Sequence, residues 1–356
     1  MSQTAHASTS FRVDTDTHRR ADRDQAPSSP LGGAPTTSLP PVTWSFSRGA
    51  LAEQCERLYY EHYFGSHGGW RADANARARH VYRLKHLTTP GSELGRAIHR
   101  RAAEIAHAIR DGASIPSHAA LYARTCTELT AVIRRRASDP SWLQNPRHAP
   151  LLREAYYGGL SAARREQVLA DLCTRASNLL TSLVDSAVWV AATLPGARVL
   201  MIEDTILTHT DAVATVATPD LVLQLPDDRV LVVDWKCGAA GDIAQVLAYA
   251  EAVHDALGLG TSGVRLEAWL VHLDRGSLEA ATVSAADRER SLAARRASVA
   301  KLVALHERAV PSDAPPGKAF ALAAEPNTTC RRCRMLEACR PELARAATSA
   351  PYLTAG

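Results

Sequence analysis

The sequence predicts an α/β fold: a mixed central sheet flanked by helices, with a helical insertion ahead of the sheet and a cysteine cluster behind it. Three observations carry that prediction. From about residue 92 to 194 apolar side chains recur near every 3.6 residues, the helical period. The chain then turns to short β-branched runs, ARVLMIEDTIL, DAVATVATPDLVLQL and DRVLVVDWK. A helix (GDIAQVLAYAEAVHDAL), a strand (VRLEAWLVHL) and a long helix (AADRERSLAARRASVAKLVALHERA) complete an alternation that builds a sheet covered by helices.

Residues 1–42 are rich in Ser, Thr, Pro, Asp and Arg without sustained periodicity, and are expected to be a disordered leader. One domain is expected over 43–344. Order begins near Trp44, with a first helix through SFSRGALAEQCERLYYEHYF capped by Ser45 or Ser47. The helical insertion falls at about 101–195, broken at DGASIPS and SDPSWLQNPRHAP. The sheet core occupies about 196–275, where Pro226, Asp227 and Asp228 supply a hairpin turn. A cysteine loop at 325–342 and a tail at 345–356 close the chain.

At 356 residues and 46% hydrophobic, the chain can bury a sizeable core. Its formal net charge of +4 is compatible with a polyanionic partner. The N-terminus lacks the apolar core of a secretory signal and no run reaches membrane-spanning length, so a cytoplasmic protein without a membrane partner is expected. In that compartment seven cysteines argue for metal binding or buried thiols over a disulfide framework.

The segment TPDLVLQLPDDRVLVVDWKCG carries the chemistry. Asp220 is placed in one strand, and Asp234 and Lys236 end the next. Side chains at i and i+2 share a strand face, so Asp234 and Lys236 point together while Trp235 points away. A hairpin can bring Asp220 beside Asp234. Two close carboxylates repel unless a divalent cation lies between them, and hard oxygen ligands suit Mg2+ or Mn2+. Such a cation polarises a phosphodiester and lowers the pKa of an attacking water, while a lysine orients that water or offsets transition-state charge.

This pattern resembles the PD-(D/E)XK nucleases: Pro219-Asp220, then Asp234-Trp235-Lys236. The resemblance implies a restriction-endonuclease-like core in which Asp220 and Asp234 hold the metal, the Trp235 backbone carbonyl adds a ligand, and Lys236 assists the nucleophile. Two further features are similar to the RecB-like branch. Gln245 and Tyr249 lie four residues apart on one helical face, directly after DWKCG, like the Q-x-x-x-Y helix thought to steady the active site and touch DNA. In LGRAIHRR, Gly95 and His99 match a G-x-x-x-H helix, making His99 a candidate metal ligand. Glu203, in the strand before Asp220, stands where related sequences often have an acid; it receives no role here.

PNTTCRRCRMLEACRP sets Cys330, Cys333 and Cys339 in one short loop, a spacing that points to a metal centre needing a fourth ligand. The segment around Cys55 resembles the first helix of iron–sulfur nucleases of the AddB and CRISPR-associated adaptation groups, although Glu56 replaces the usual proline. That resemblance implies a [4Fe–4S] cluster on Cys55, Cys330, Cys333 and Cys339, pinning the two chain ends together; zinc is the alternative occupant. Cys126, Cys173 and Cys237 are read as buried thiols.

A basic surface is expected from Arg48, Arg57, Arg100, Arg101, Arg134, Arg135, Arg136, Arg164 and Arg165. Tyr59, Tyr60, Tyr156 and Tyr157 are candidates for stacking on single-stranded bases. The function expected is that of a metal-dependent exonuclease on single-stranded DNA ends, serving repair, recombination or defence against foreign DNA. No G-x-x-x-x-G-K-[ST] loop is present, so unwinding would come from a helicase partner. A non-cleaving binding module of the same fold and a zinc-stabilised restriction-type endonuclease are the rival readings.

Overall fold

Alternation along the strands decides which way the sheet faces. In β6 (Arg229–Lys236), Leu231, Val233 and Trp235 enter one core while Val230 and Val232 enter another. This is the side-chain period of two, with both faces covered. The computed structural model describes residues 39–238, 241–259, 263–309, 320 and 328–341. The expected tail, and all but the last four residues of the expected leader, lie outside them.

The chain enters through β1 (Thr43–Trp44) and passes to α1 (Phe46–Gln54) and α2 (Glu56–Tyr60). Ser45 caps α1, its side chain accepting from the Arg48 amide. The single first helix expected from the sequence is in fact two. Cys55 is extended (φ −168°, ψ 114°), ends α1, and caps α2 with its sulfur, which accepts the Leu58 N–H at 3.4 Å. A π-helical turn at Glu61–Gly65 follows, then α3 (Ala76–Lys85).

The helical layer consists of α4 (Pro90–Arg110), α5 (His118–Arg136), the short α6 (Arg153–Tyr156), α7 (Ala162–Val184) and α8 (Ala187–Ala192). Thr89, Ser117, Ser161 and Ser186 cap four of these, and Pro90 opens α4 where a missing N–H costs nothing. The helical run that ends the insertion is broken, because Ser186, two residues after α7 ends, caps a new helix.

Two β-runs that read as single strands are also divided. ARVLMIEDTIL becomes β2 (Arg198–Ile202) and β3 (Ile206–Thr210); DAVATVATPDLVLQL becomes β4 (Val213–Ala217) and β5 (Leu221–Gln224). β4 pairs with both β1 and β3 in a small three-stranded sheet of order β1-β4-β3. Asp220 is therefore not inside a strand. It stands at the bend from which β5 starts.

The main sheet has the order β2-β5-β6-β7-β8, with β7 at Arg265–His272 and β8 at Ser277–Thr282. β8 was not anticipated. It is a mostly exposed edge strand, so its side chains carry no inside–outside alternation to read. β6 and β7 run parallel, which requires a crossover, and α9 (Ile243–Ala256) provides it. α10 (Ala285–Ala309) packs on α9. The described chain ends in α11 (Thr328–Arg332) and α12 (Leu336–Cys339). Helices α4, α5, α7 and α8 cover one face of the main sheet and α9 the other. Among the described residues no helix is long and apolar enough to cross a membrane.

Candidate active site

The C-terminal end of β6 is where both layers meet. Asp234 points to the α9 side and is buried, while Trp235 turns into the helical core and stacks on Trp189 at 5.3 Å. Trp235 can therefore serve the site only through its backbone. Its N–H donates to Asp220 Oδ2 at 2.8 Å, which ties the bend before β5 to the end of β6. The other oxygen of Asp220 lies 3.1 Å from His99 Nδ1 on α4.

Lys236 Nζ stands 2.7 Å from Asp234 Oδ2 and donates to Gln245 Oε1 at 2.8 Å. The Gln245 amide donates to the Tyr249 hydroxyl at 2.7 Å and reaches Asp234 Oδ1 at 3.4 Å. The α9 pair thus grips the lysine and the acid at once. Their helix is seated by Val246 and Ala250, buried, with Ile243 and Leu247 beside them. A Cβ at Gly241, just before α9, would lie 2.7 Å from His272 Cε1 and 3.0 Å from Lys236 Cγ, so a larger residue there must displace those side chains.

Glu203 joins this centre. Its carboxylate, the His99 ring and the Asp220 carboxylate offer ligand atoms that lie within 4.8 Å of one another. Glu203 follows β2 with a left-handed backbone (φ 52°), which a residue with a side chain adopts at some cost. The bend is held by the Glu203 N–H donating to Asp220 O at 3.1 Å, and by Asp204 Oδ2 accepting the Ile202 N–H. The sequence signal for Glu203 was an acid at a strand end ahead of Pro219-Asp220. Only the bend turns that acid toward His99.

The electrostatics are those of a cation site holding protons instead. Burial pushes the Asp234 carboxyl up to about 6, and the nearby Asp220 charge adds to this against Lys236 and His99. For His99, burial disfavours the charged ring, but the Asp220 carboxylate outweighs it and the imidazole is raised well above its ordinary value. Asp234 Oδ2 is buried, with the Lys236 ammonium 2.7 Å away as its charged partner. Cys237, assigned no role from the sequence, is half-buried and lies near His99.

A second cluster gathers at the joined chain ends. Cys55, Cys333 and Cys339 pack with Leu58, Met335 and Leu336. Cys333 lies close enough to Cys55 and Cys330, and Cys339 to Cys333 and Cys55, for their charges to act on one another. Burial raises both thiols, Cys339 to about 12. The Met335 N–H donates to Cys333 Sγ at 3.3 Å, as Leu58 does to Cys55. Tyr157 clasps the same segment, donating to Arg334 O at 3.1 Å.

The expected nucleic-acid surface needs correction. Tyr59 and Tyr157 are core residues, and Tyr156 bonds Glu337. Arg57 is buried on Glu61, Arg136 on Glu93, and Arg134 pairs with Glu166. These side chains were legible as basic or aromatic; Arg57 finds its partner one turn on, while those of Arg134, Arg136 and Tyr156 come from distant segments.

A family model of the PD-(D/E)XK nuclease superfamily matches residues 43–340, which spans every element of both clusters. No curated protein matches the chain. With that match over most of its length, and with the acids and lysine of Pro219-Asp220 and Asp234-Trp235-Lys236 meeting at one sheet end, the chain belongs to the PD-(D/E)XK superfamily of metal-dependent nucleases.

Proposed function

We propose that this protein is a deoxyribonuclease that hydrolyses single-stranded DNA from its ends, in repair, recombination or defence, with a helicase partner supplying the strands. The observation that carries the catalytic reading is the convergence of His99, Glu203 and Asp220 ligand atoms within 4.8 Å, at the sheet end where Asp234 is buried. Carboxylates crowded together in a buried site repel unless a cation lies among them. The donor set is mostly hard oxygen with one imidazole, which fits Mg2+ or Mn2+. Asp220, Asp234, His99 and Glu203 would hold the ion, with the Trp235 carbonyl. When bound, it supplies Lewis-acid polarisation of the phosphate and lowers the pKa of water. Lys236 holds its ammonium beside Asp234, where it orients the attacking water and offsets charge on the phosphoryl oxygens. Gln245, braced by Tyr249, keeps that ammonium in place.

The cysteine cluster, in this reading, holds a [4Fe–4S] cluster on Cys55, Cys330, Cys333 and Cys339. An all-thiol donor set with N–H groups aimed at two of its sulfurs fits a soft metal centre. Zinc is the other ion such a set accepts. The role is structural: it joins α1 and α2 to the C-terminal segment.

The direct test is cleavage of labelled single- and double-stranded DNA with Mn2+, with and without a chelator. Asp220→Asn is expected to lower the rate by roughly a thousandfold. Cutting that persists in chelator, or in Asp220→Asn, would overturn the assignment.

The acid chemistry sets a pH dependence. Asp234 and His99 both bind protons more tightly folded than unfolded. In the metal-free protein their contribution to stability is present at low pH and lost as pH rises, for Asp234 between 3.8 and about 6. A bound cation replaces those protons. The thermal shift on adding Mn2+ is therefore expected to grow between pH of about 5 and about 8, with proton release in calorimetry. A shift constant over that range would show that these two groups do not hold the ion.

A further inference from the structure

A cavity of about 500 Å³ opens between the face of α1–α2 and the cysteine segment. Leu51 and Leu58 form its floor, and His62, Tyr63, Arg332 and Arg334 its polar wall. The described residues lining it include no Asp or Glu. Cations crowd its rim. The Arg48 guanidinium lies 3.7 Å over the Tyr63 ring, Lys85 Nζ is 5.6 Å from that ring, and Arg334 is exposed while donating to Lys85 O. Arg48 is itself buried, with a guanidinium nitrogen that has no acceptor. The crowding has a measurable consequence: burial and the charges of Lys85, Arg334 and Arg48 hold His62 well below its ordinary value.

Aromatic rings lead away from this cavity. His86 stands 4.6 Å from Tyr82, Tyr82 5.7 Å from Trp70, and Trp70 5.2 Å from His67. Trp70 ends the row 58% exposed, an unusual place for so large an apolar ring.

We propose that this cavity and the aromatic row beside it form a binding track for single-stranded DNA, with phosphates held at the Arg332–Arg334 cavity and bases stacked on Trp70, Tyr82 and His86. The chemistry matches one occupant. A cationic groove follows a sugar–phosphate backbone, and a row of aromatic faces accepts unpaired bases of any sequence. A duplex keeps its bases inside and gains nothing from such a row. The inference rests on the reading of the chain as a DNA-processing enzyme and extends it by locating how the strand is held away from the reacting bond.

The test is fluorescence anisotropy of labelled oligo(dT) of about 30 nucleotides on the full chain, in chelator so that no cutting occurs. Trp70→Ala, at a mostly exposed residue, is expected to weaken binding roughly tenfold and to remove the tryptophan quenching that oligo(dT) causes. Arg334→Gln is expected to weaken it comparably and to lower the salt dependence by about one phosphate contact. Duplex of equal length should respond little to Trp70→Ala. Unchanged affinity and quenching in Trp70→Ala would overturn the track even if cleavage is intact. Lost affinity in both variants would support it even if the wild type cuts nothing, so the two readings fail separately.

Discussion

Lys236→Ala is expected to abolish DNA cleavage, by at least about a thousandfold, while leaving the fold and any visible colour of the cysteine site intact. The lysine ends β6 with its ammonium between Asp234 and Gln245, 2.7 and 2.8 Å away, so no other cation among the described residues takes its place there. Two effects add. The transition state loses a charge aimed at the phosphoryl oxygens. Asp234, already pushed up to about 6 by burial and Asp220, also loses the neighbour that opposes this shift, so it holds its proton more firmly against an incoming cation. Comparing cleavage with Mn2+ affinity in the variant separates these effects. Stability should change little, because a buried carboxyl without its cation takes up a proton instead. Equal degradation by wild type and Lys236→Ala would remove Lys236 from the chemistry.

Cys333→Ala is expected to strip the cysteine centre and loosen the junction of the chain ends. The midpoint of thermal unfolding should fall by roughly 10 °C, about 5 kcal/mol for a domain of this size. The residue sits at the turn between α11 and α12, and its sulfur accepts the Met335 N–H. Arg153 and Tyr157 of the helical layer grasp the same turn through the Cys333 and Arg334 carbonyls. Protein prepared anaerobically should be brown and lose its colour in the variant, whereas Cys126→Ala, in the helical layer, should keep both colour and midpoint. A colourless wild type with bound zinc would reassign the occupant. An unchanged midpoint and spectrum in Cys333→Ala would dismiss the centre itself.

The two clusters differ in how far local sequence could reach them. Asp234, Lys236, Gln245 and Tyr249 lie within one strand and the helix after it, so a period of two followed by a spacing of four is enough to bring them together. His99 and Cys55 needed the resemblance of short flanking motifs, because their partners are more than a hundred residues away. Glu203 was visible as an acid but carried no pattern of its own. The strand divisions at Asp204 and Asp220 were hidden because they depend on which distant backbone each segment pairs with, and neither propensity nor periodicity encodes that pairing. The break at Cys55 is local, but a cysteine is not a usual helix cap, and the exposed β8 carries no alternation to read.

By itself, then, the amino-acid order determined the mixed α/β architecture, the catalytic hairpin and its acid–lysine signature, since these follow from alternation, turns and nearest neighbours. Tertiary structure alone decided that Glu203 turns toward His99, that Tyr59 and Tyr157 serve the core instead of a substrate, and that Trp70 stays exposed. Burial and charge partnership are properties of segments meeting in space. A residue's type states what it can offer; only its neighbours determine whether that offer is already taken.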